Sequence, residues 1–413
     1  MTVLKILFWF SLAVVFYSYI GYGILLYVLV KMKNLLKKGS RREVPGSPPF
    51  EPETTLIVSA YDEEDFIAQK IENTLKLDYP ASKLKLIFIT DGSSDRTPDI
   101  VRAYPAIRLL HQPERRGKIA AMNRAIKEVT TPYVIFSDAN TLLNTECVRE
   151  MVKHYADPRV GGVAGEKKVI SDPGSQSAVS GEGLYWRYES ALKKLDAELY
   201  SVVGAAGELF SVRTALFEET AENIIIEDFV QSLKICMKGF IIQYEPQAYA
   251  METASLSMKD EEKRKIRICA GAFQAMTLLA PLFNPFRYPV LSFQFLSHRI
   301  LRWTLCPVCL VILLLSNSAI VAGQVIEGGI GGILVTGDGF AGNFYQIVWL
   351  GQLIFYCLAL TGWLYAHKNI RVKALFVPYY FLFMNVSVFL GFRRFLKKQQ
   401  SVLWEKASRS KLT

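Results

Sequence analysis

Apolar residues run almost unbroken through the start of the chain. Between Leu4 and Val30 the only charge is Lys5. Such a run can cross a bilayer with some tilt, is too long for a signal-peptide core, and lacks a small-x-small cleavage site, so it reads as a retained anchor. Three further apolar runs, near residues 304–321, 345–365 and 374–392, read as membrane helices. Between these ends the pattern changes to short apolar runs separated by segments of helical period. Thr54-Thr-Leu-Ile-Val-Ser-Ala, Leu84-Lys-Leu-Ile-Phe-Ile-Thr, residues 107–111 and Tyr133-Val-Ile-Phe-Ser-Asp read as buried strands. Helices fall between them: one opening on Asp62-Glu-Glu-Asp and ending before Tyr79-Pro80, one capped by Thr97-Pro98, and one over 118–129. Alternating strands and helices predict an α/β fold with a parallel, doubly wound sheet. Beyond Asp157-Pro158, residues 160–169 and 240–244 read as strands, and 184–199, 227–238 and 259–279 as helices, the last basic and amphipathic.

The same pattern divides the chain. An anchor (1–31) leads into a basic, proline-rich linker (32–53), an α/β domain (54–280), an interfacial segment mixing aromatics, prolines and charges (281–303), a second membrane region (304–392) and a basic tail (393–413). The net charge is +10, and its placement is informative. Lys31, Lys33, Lys37, Lys38, Arg41 and Arg42 follow the first span, which predicts a cytoplasmic domain on a multi-pass protein of the cytoplasmic membrane. No nucleic-acid motif accompanies these bases; beside a span they read as topology signals and contacts to anionic membrane lipids. The loop 323–343 is rich in glycine and lacks lysine and arginine, as expected outside the cytoplasm. Four full crossings would place the tail outside as well. Its Arg393, Arg394, Lys397, Lys398, Lys406, Arg409 and Lys411 argue for the cytoplasmic side, so the last apolar run is expected to be re-entrant or interfacial, or one span is miscounted.

Candidate chemistry sits at the strand ends. Cys306-Pro-Val-Cys309 has redox spacing but opens an apolar span with no strand before it, and the four histidines match no zinc spacing. A metal would therefore be held by carboxylates and substrate. Asp138-Ala-Asn140 ends the 133–138 strand, where open α/β sheets bind ligands; strand alternation would put its two oxygen-bearing side chains on one face, a donor set suited to Mg²⁺ or Mn²⁺ on a diphosphate. In isolation such a triplet is most often a cap or an Asx-turn. The same holds for each of its companions: Val58-Ser-Ala-Tyr-Asp-Glu-Glu, Asp91-Gly-Ser-Ser-Asp95, Arg115-Arg-Gly-Lys118, Gly204-Ala-Ala-Gly207, Ile224-Ile-Ile-Glu227-Asp228 and Arg264-Lys-Ile-Arg267-Ile268.

In this order the motifs resemble those of membrane-embedded, inverting family 2 glycosyltransferases of GT-A fold, similar to the cellulose, hyaluronan and poly-N-acetylglucosamine synthases. The resemblance covers residues 54–280 and the flanking membrane segments. It implies that Ala60, Tyr61 and Glu63 hold the nucleotide's base and ribose, that Asp91 accepts the uracil imide proton, and that Lys118 and Arg267 reach the diphosphate. It implies Asp138 and Asn140 as ligands of Mg²⁺ or Mn²⁺, with Asn140 standing where the family usually has Asp. It places Gly207, Glu227 and Ile268 beside the acceptor and makes Asp228 the general base. Processive relatives carry Gln-x-x-Arg-Trp at the last motif, where this chain has Arg264 and Ile268. The expected function is transfer of sugar from a UDP-linked donor to a growing glycan at the cytoplasmic membrane face, with export or accessory subunits as further partners. Alternatives are transfer of one sugar to a lipid acceptor such as a polyprenyl phosphate or ceramide, and a scaffold that binds nucleotide sugar without turnover. A transporter is disfavoured, since the spans hold almost no ionisable residue.

Overall fold

Every residue of β1 (Thr54–Ala60) is buried, which fixes it at the centre of the sheet. The computed structural model describes residues 1–36, 50–170, 179–253, 258–328, 343–367 and 372–398; most of the linker, most of the 323–343 loop and the tail beyond 398 lie outside the described residues. The remaining strands are β2 (Leu84–Asp91), β3 (Arg108–Gln112), β4 (Tyr133–Asp138), β5 (Leu142–Leu143), β6 (Val160–Ile170), β7 (Leu209–Arg213) and β8 (Ile241–Thr253), in the order β3-β2-β1-β4-β7-β6-β8-β5. The first four pair in parallel, as the βαβ pattern requires. The second half corrects the expectation of a parallel sheet. β7 runs antiparallel to both β4 and β6, β8 is parallel to β6, and β5 is antiparallel to β8. The sheet is mixed.

Two local expectations are also corrected. The acids Asp62–Asp65 do not open a helix, since α2 begins at Ile67 (Ile67–Leu75). They fasten a facing loop instead: Asp62 Oδ1 accepts from Ser94 N–H at 2.7 Å, and Asp95 Oδ2 accepts from Glu64 N–H at 3.0 Å. β8 runs nine residues past its expected end at 244, because Pro246 falls at a break in register between Gly165 and Glu166 of β6, where a strand tolerates a residue that cannot donate.

Helices α3 (Thr97–Arg102), α4 (Lys118–Ile126), α5 (Cys147–Val152), α6 (Val179–Leu199), α7 (Glu227–Met237) and α8 (Met258–Leu278) surround the sheet. The aromatic segment that follows packs on the domain through α9 (Pro289–Phe295) and a π turn (Leu296–Ile300). Leu291, Phe295 and Ile300 join the same buried cluster as Phe136, Phe210 and Phe229. Among the described residues, four helices are long and apolar enough to cross a membrane: α1 (Thr2–Leu36), α10 (Leu305–Gly328), α11 (Phe344–His367) and α12 (Lys373–Leu396). Of these, α12 lies along α8 of the α/β domain. Met258 packs beside Phe376–Met384, and the Phe273 ring meets those of Phe392 at 4.9 Å and Phe395 at 6.1 Å.

The turn before β7 needs a glycine. Gly204 has φ +89°, and a Cβ there would lie 2.0 Å from the Phe229 ring. Overpacking of this kind costs about 1–3 kcal/mol, to which the left-handed backbone adds. Gly204→Ala is expected to lower the unfolding temperature of the detergent-solubilised protein, measured by a thermal melt, whereas Gly239→Ala, with open space around it, is expected to cost less.

Candidate active site

The site forms where the carboxyl ends of β1 and β4 meet the turn before β7 and the start of α7. Its placement begins at β2. Asp91, the last residue of that strand, accepts the backbone N–H groups of Arg116 at 2.9 Å and Gly117 at 2.6 Å through Oδ2. Gly117 takes φ +98°, so α4 starts at once on Lys118 and its side chain turns into the site. Lys118 Nζ lies 2.7 Å from Asp138 Oδ1 and 3.4 Å from Glu227 Oε1, and donates to the Gly207 carbonyl at 3.5 Å. Gly207 leaves the space between the lysine and Asp228: a Cβ there would sit 3.2 Å from Lys118 Nζ and 3.3 Å from Asp228 Oδ2.

Charge follows from this packing. Burial opposes the Lys118 ammonium, but Asp138, Glu227 and Asp228 together hold its pKa well above the ordinary lysine value. Burial, and then the neighbouring Glu227, push the Asp228 carboxyl up to about 7, with Lys118 pulling the other way. A carboxylate poised there can take a proton near neutral pH.

A cavity of about 860 Å³ opens over these groups and gathers most of the residues expected from sequence. Tyr61, Glu63, Lys118, Asp138, Asn140, Gly207, Glu227, Asp228, Arg267 and Ile268 all line it. Asn140 reaches it by a turn after β4 rather than by strand alternation, since the strand ends at Asp138. Ala60 and Asp91 stand outside this lining. Asp91 lies behind the Arg115–Gly117 loop, and its Oδ1 is buried with no hydrogen-bond partner among the described residues. The Arg115 guanidinium covers the Tyr61 ring, 3.7 Å from its centroid. A base stacking on Tyr61 must use the other face or displace Arg115. Arg267 makes no hydrogen bond or ion pair among the described residues, and burial lowers its pKa.

The donor set fits a hard divalent cation only in part. Asp138 and Asn140 supply oxygens at the cavity wall, and among the described residues no three His, Cys, Asp or Glu side chains cluster around one point. Phosphate oxygens of a bound donor are the natural completion of such a shell.

Two groups escaped the sequence reading. Lys70, on α2, is fully buried and donates to Ser137 Oγ at 2.8 Å and Thr141 O at 2.9 Å, pinning the turn that carries Asp138 and Asn140. Burial pulls its pKa down to about 7. In a helical pattern a lone lysine reads as solvent-facing, so nothing local marks it. The second group lies on α6. Trp186, Glu189, Lys193 and Asp196 recur at helical spacing and form one inward stripe. Glu189 pairs with Arg302 at 2.5 Å, Arg299 at 3.0 Å and His298 at 3.3 Å. Asp196 pairs with His298 at 2.6 Å and accepts from Tyr22 Oη at 2.5 Å. Burial would raise the Glu189 carboxyl, but Arg299 and Arg302 hold it well below the usual carboxylate range.

Comparison with known proteins agrees with this geometry. Residues 55–220 match the profile of Glycosyl transferase family 2. Poly-beta-1,6-N-acetyl-D-glucosamine synthase of Staphylococcus aureus strain MSSA476 is 26% identical over 234 residues, covering 54% of this chain and 55% of that protein. The synthase of the same name from Staphylococcus epidermidis is 24% identical over 270 residues, 62% of each. The chain thus matches little more than half the length of these relatives. The solved structure of mannosyltransferase PcManGT from Pyrobaculum calidifontis, in complex with GDP-Man and Mn²⁺, superposes with a TM-score of 0.64 over 95% of this chain and 99% of that one, at 20% identity. That likeness is one of fold and extends over nearly the whole chain. The domain is of the GT-A type.

Lys118→Met leaves three neighbouring acids without their ammonium. It is expected to reduce turnover by about 100-fold or more and to move the acidic limb of the pH–rate profile upward, because Asp228 loses the cation that opposes its protonation. In the unaltered protein the rate is expected to fall below about pH 7 as Asp228 takes up a proton, and to level off above it. Rates measured from pH 5.5 to 9 check both.

Proposed function

We propose that the chain is a family 2 glycosyl transferase that catalyses an inverting transfer of sugar from a uridine-linked donor to an acceptor at the cytoplasmic face of a membrane. The observation that carries this reading is the meeting of Asp138, Glu227 and Asp228 around Lys118 at the floor of one cavity. Asp228 accepts the proton of the acceptor hydroxyl. The freed oxygen attacks the anomeric carbon from the face opposite the nucleotide. The bond from that carbon to the diphosphate breaks, and the nucleoside diphosphate departs with the electron pair. A single carboxylate suffices for this displacement, which is why the product is inverted. Lys118 stands beside the departing diphosphate as a fixed cation, and Arg267, with no hydrogen bond or ion pair among the described residues, binds the same group. Mg²⁺ or Mn²⁺, held by Asp138, Asn140 and donor oxygens, supplies further neutralisation of the leaving group when bound.

Asp91 supports uridine. Its Oδ2 is already committed to two backbone N–H groups, so only Oδ1 remains. One acceptor suits the one imide N–H of uracil better than the paired donors of guanine. A polysaccharide product accords with the staphylococcal relatives. A lipid-borne acceptor has its own support: Trp303, just before α10, and Arg394, in the last turn of α12, line the same cavity, so it borders the membrane helices. The position of Arg394 also supports a tail on the domain's side of the membrane.

Purified protein incubated with a panel of nucleotide sugars tests the whole reading, and absence of transfer or hydrolysis with every donor rejects it. Asp228→Asn is expected to lower turnover by about 10²–10⁴-fold with UDP affinity nearly intact. Titration calorimetry is expected to show tighter binding of UDP than of GDP; the reverse order would reassign the base pocket. Removing divalent ions with EDTA and gel filtration is expected to abolish turnover, with recovery on adding Mn²⁺ or Mg²⁺. Arg267→Ala is expected to weaken UDP, since a charge-assisted contact is worth about 1.5–3 kcal/mol, whereas Ile268→Trp is expected to alter product length at unchanged UDP affinity.

A further inference from the structure

Lys193 is buried, only 4% exposed, and lines the cavity, yet among the described residues it has no hydrogen bond or ion pair. Its situation contrasts with that of every other buried lysine nearby. Lys70 has its oxygens, Lys167 has Glu208 at 2.6 Å and also Glu252, and Lys265 has Glu261 at 3.5 Å. The acids whose charges reach Lys193 are Glu166, Glu189 and Glu208. Each is already committed: Glu166 to Ser190 Oγ and Tyr244 Oη, Glu189 to Arg299, Arg302 and His298, and Glu208 to Lys167. Arg299 adds a second positive charge. Burial therefore lowers the Lys193 pKa, and these acids, each paired elsewhere, do not offset it. An unpaired buried cation is costly, and the cost is offset when an anion enters.

What lies beside Lys193 narrows the anion. The Trp186 ring, about two turns back on the same face of α6, also lines the cavity, with Lys193 Nζ 5.8 Å from its centroid. An indole face suits the apolar side of a sugar ring. The cavity continues to Arg299 and Trp303, in the segment that leads into α10, and to Arg394 on α12. It therefore opens towards the place where membrane helices meet the domain.

We propose that Trp186 and Lys193 form an acceptor subsite for a lipid-borne phosphate ester, the phosphate oxygen on the lysine and the adjoining sugar or chain against the indole. The assignment rests on the glycosyl-transfer reading and names the acceptor class for the same site. It also gives this chain an aromatic surface in place of the tryptophan that Ile268 replaces.

The test uses the full chain in zwitterionic nanodiscs, with geranyl phosphate, geraniol, glucose 1-phosphate and inorganic phosphate as separate probes and UDP as a control. Geranyl phosphate is expected to bind about 10-fold or more tightly than geraniol and than either soluble phosphate. Lys193→Gln is expected to bring it to the geraniol level, Lys193→Arg to restore part of the difference, and Trp186→Phe to weaken it less. UDP affinity is expected to stay within about 2-fold throughout, which also shows that the variants fold. Equal geranyl phosphate binding by the unaltered protein and Lys193→Gln overturns the subsite. A parallel loss of UDP affinity with folding intact on a thermal melt overturns it too, by assigning Lys193 to the donor. Equal binding of glucose 1-phosphate or inorganic phosphate overturns the lipid source. If the unaltered protein binds geranyl phosphate through Lys193 but neither transfers nor hydrolyses any nucleotide sugar, the glycosyl-transfer reading fails and the phosphate site stands.

Discussion

One ammonium group holds the site together. Asp138 and the adjacent pair Glu227 and Asp228 come from two separate parts of the chain, the end of β4 and the start of α7, and in a shielded cavity three acids would repel each other and protonate. Lys118 lets them coexist. Its own position is set at a distance: Asp91 grips the loop, Gly117 supplies the backbone angle, and α4 begins on the lysine. The end of β2 thereby controls the charge state of groups on β4 and α7. The division of labour among the acids follows. Asp138 stands nearest the lysine, while Asp228, beside a second carboxylate, is left with a proton affinity near neutrality.

Much of this was legible in the sequence because it is local. β1, β2 and β4 are short apolar runs, and their functional residues stand at strand ends, so one pattern announces both. What remained hidden depends on long-range pairing. The five residues of β7 carry no sign that they insert antiparallel between β4 and β6. Pro246 looks like a strand stop, and only the partner strand shows it to be a bulge. Asp62–Asp65 have the composition of a helix start, but the competing partner is a loop some thirty residues away.

Buried charge was the least legible feature. Lys70, Glu189, Lys193 and Asp196 sit in helices whose polar residues look solvated, and no periodicity distinguishes a polar face in water from one under another layer. That layer, the segment carrying His298, Arg299 and Arg302, reads in the sequence as an interfacial stretch, yet it contributes Leu291, Phe295 and Ile300 to the core. Its charges and those of α6 explain each other only once the two are packed.

That pairing makes the boundary near residue 280 a boundary of sequence and not of energy. A fragment of residues 54–280 would keep Glu189 and Asp196 but discard the arginines and histidine that neutralise them, along with Tyr22 from the first helix. Two acids would then face an uncovered apolar core. The smallest part of this protein that can fold as one unit therefore includes the first helix and the 289–303 segment, which supplies the counter-charges as well as part of the core.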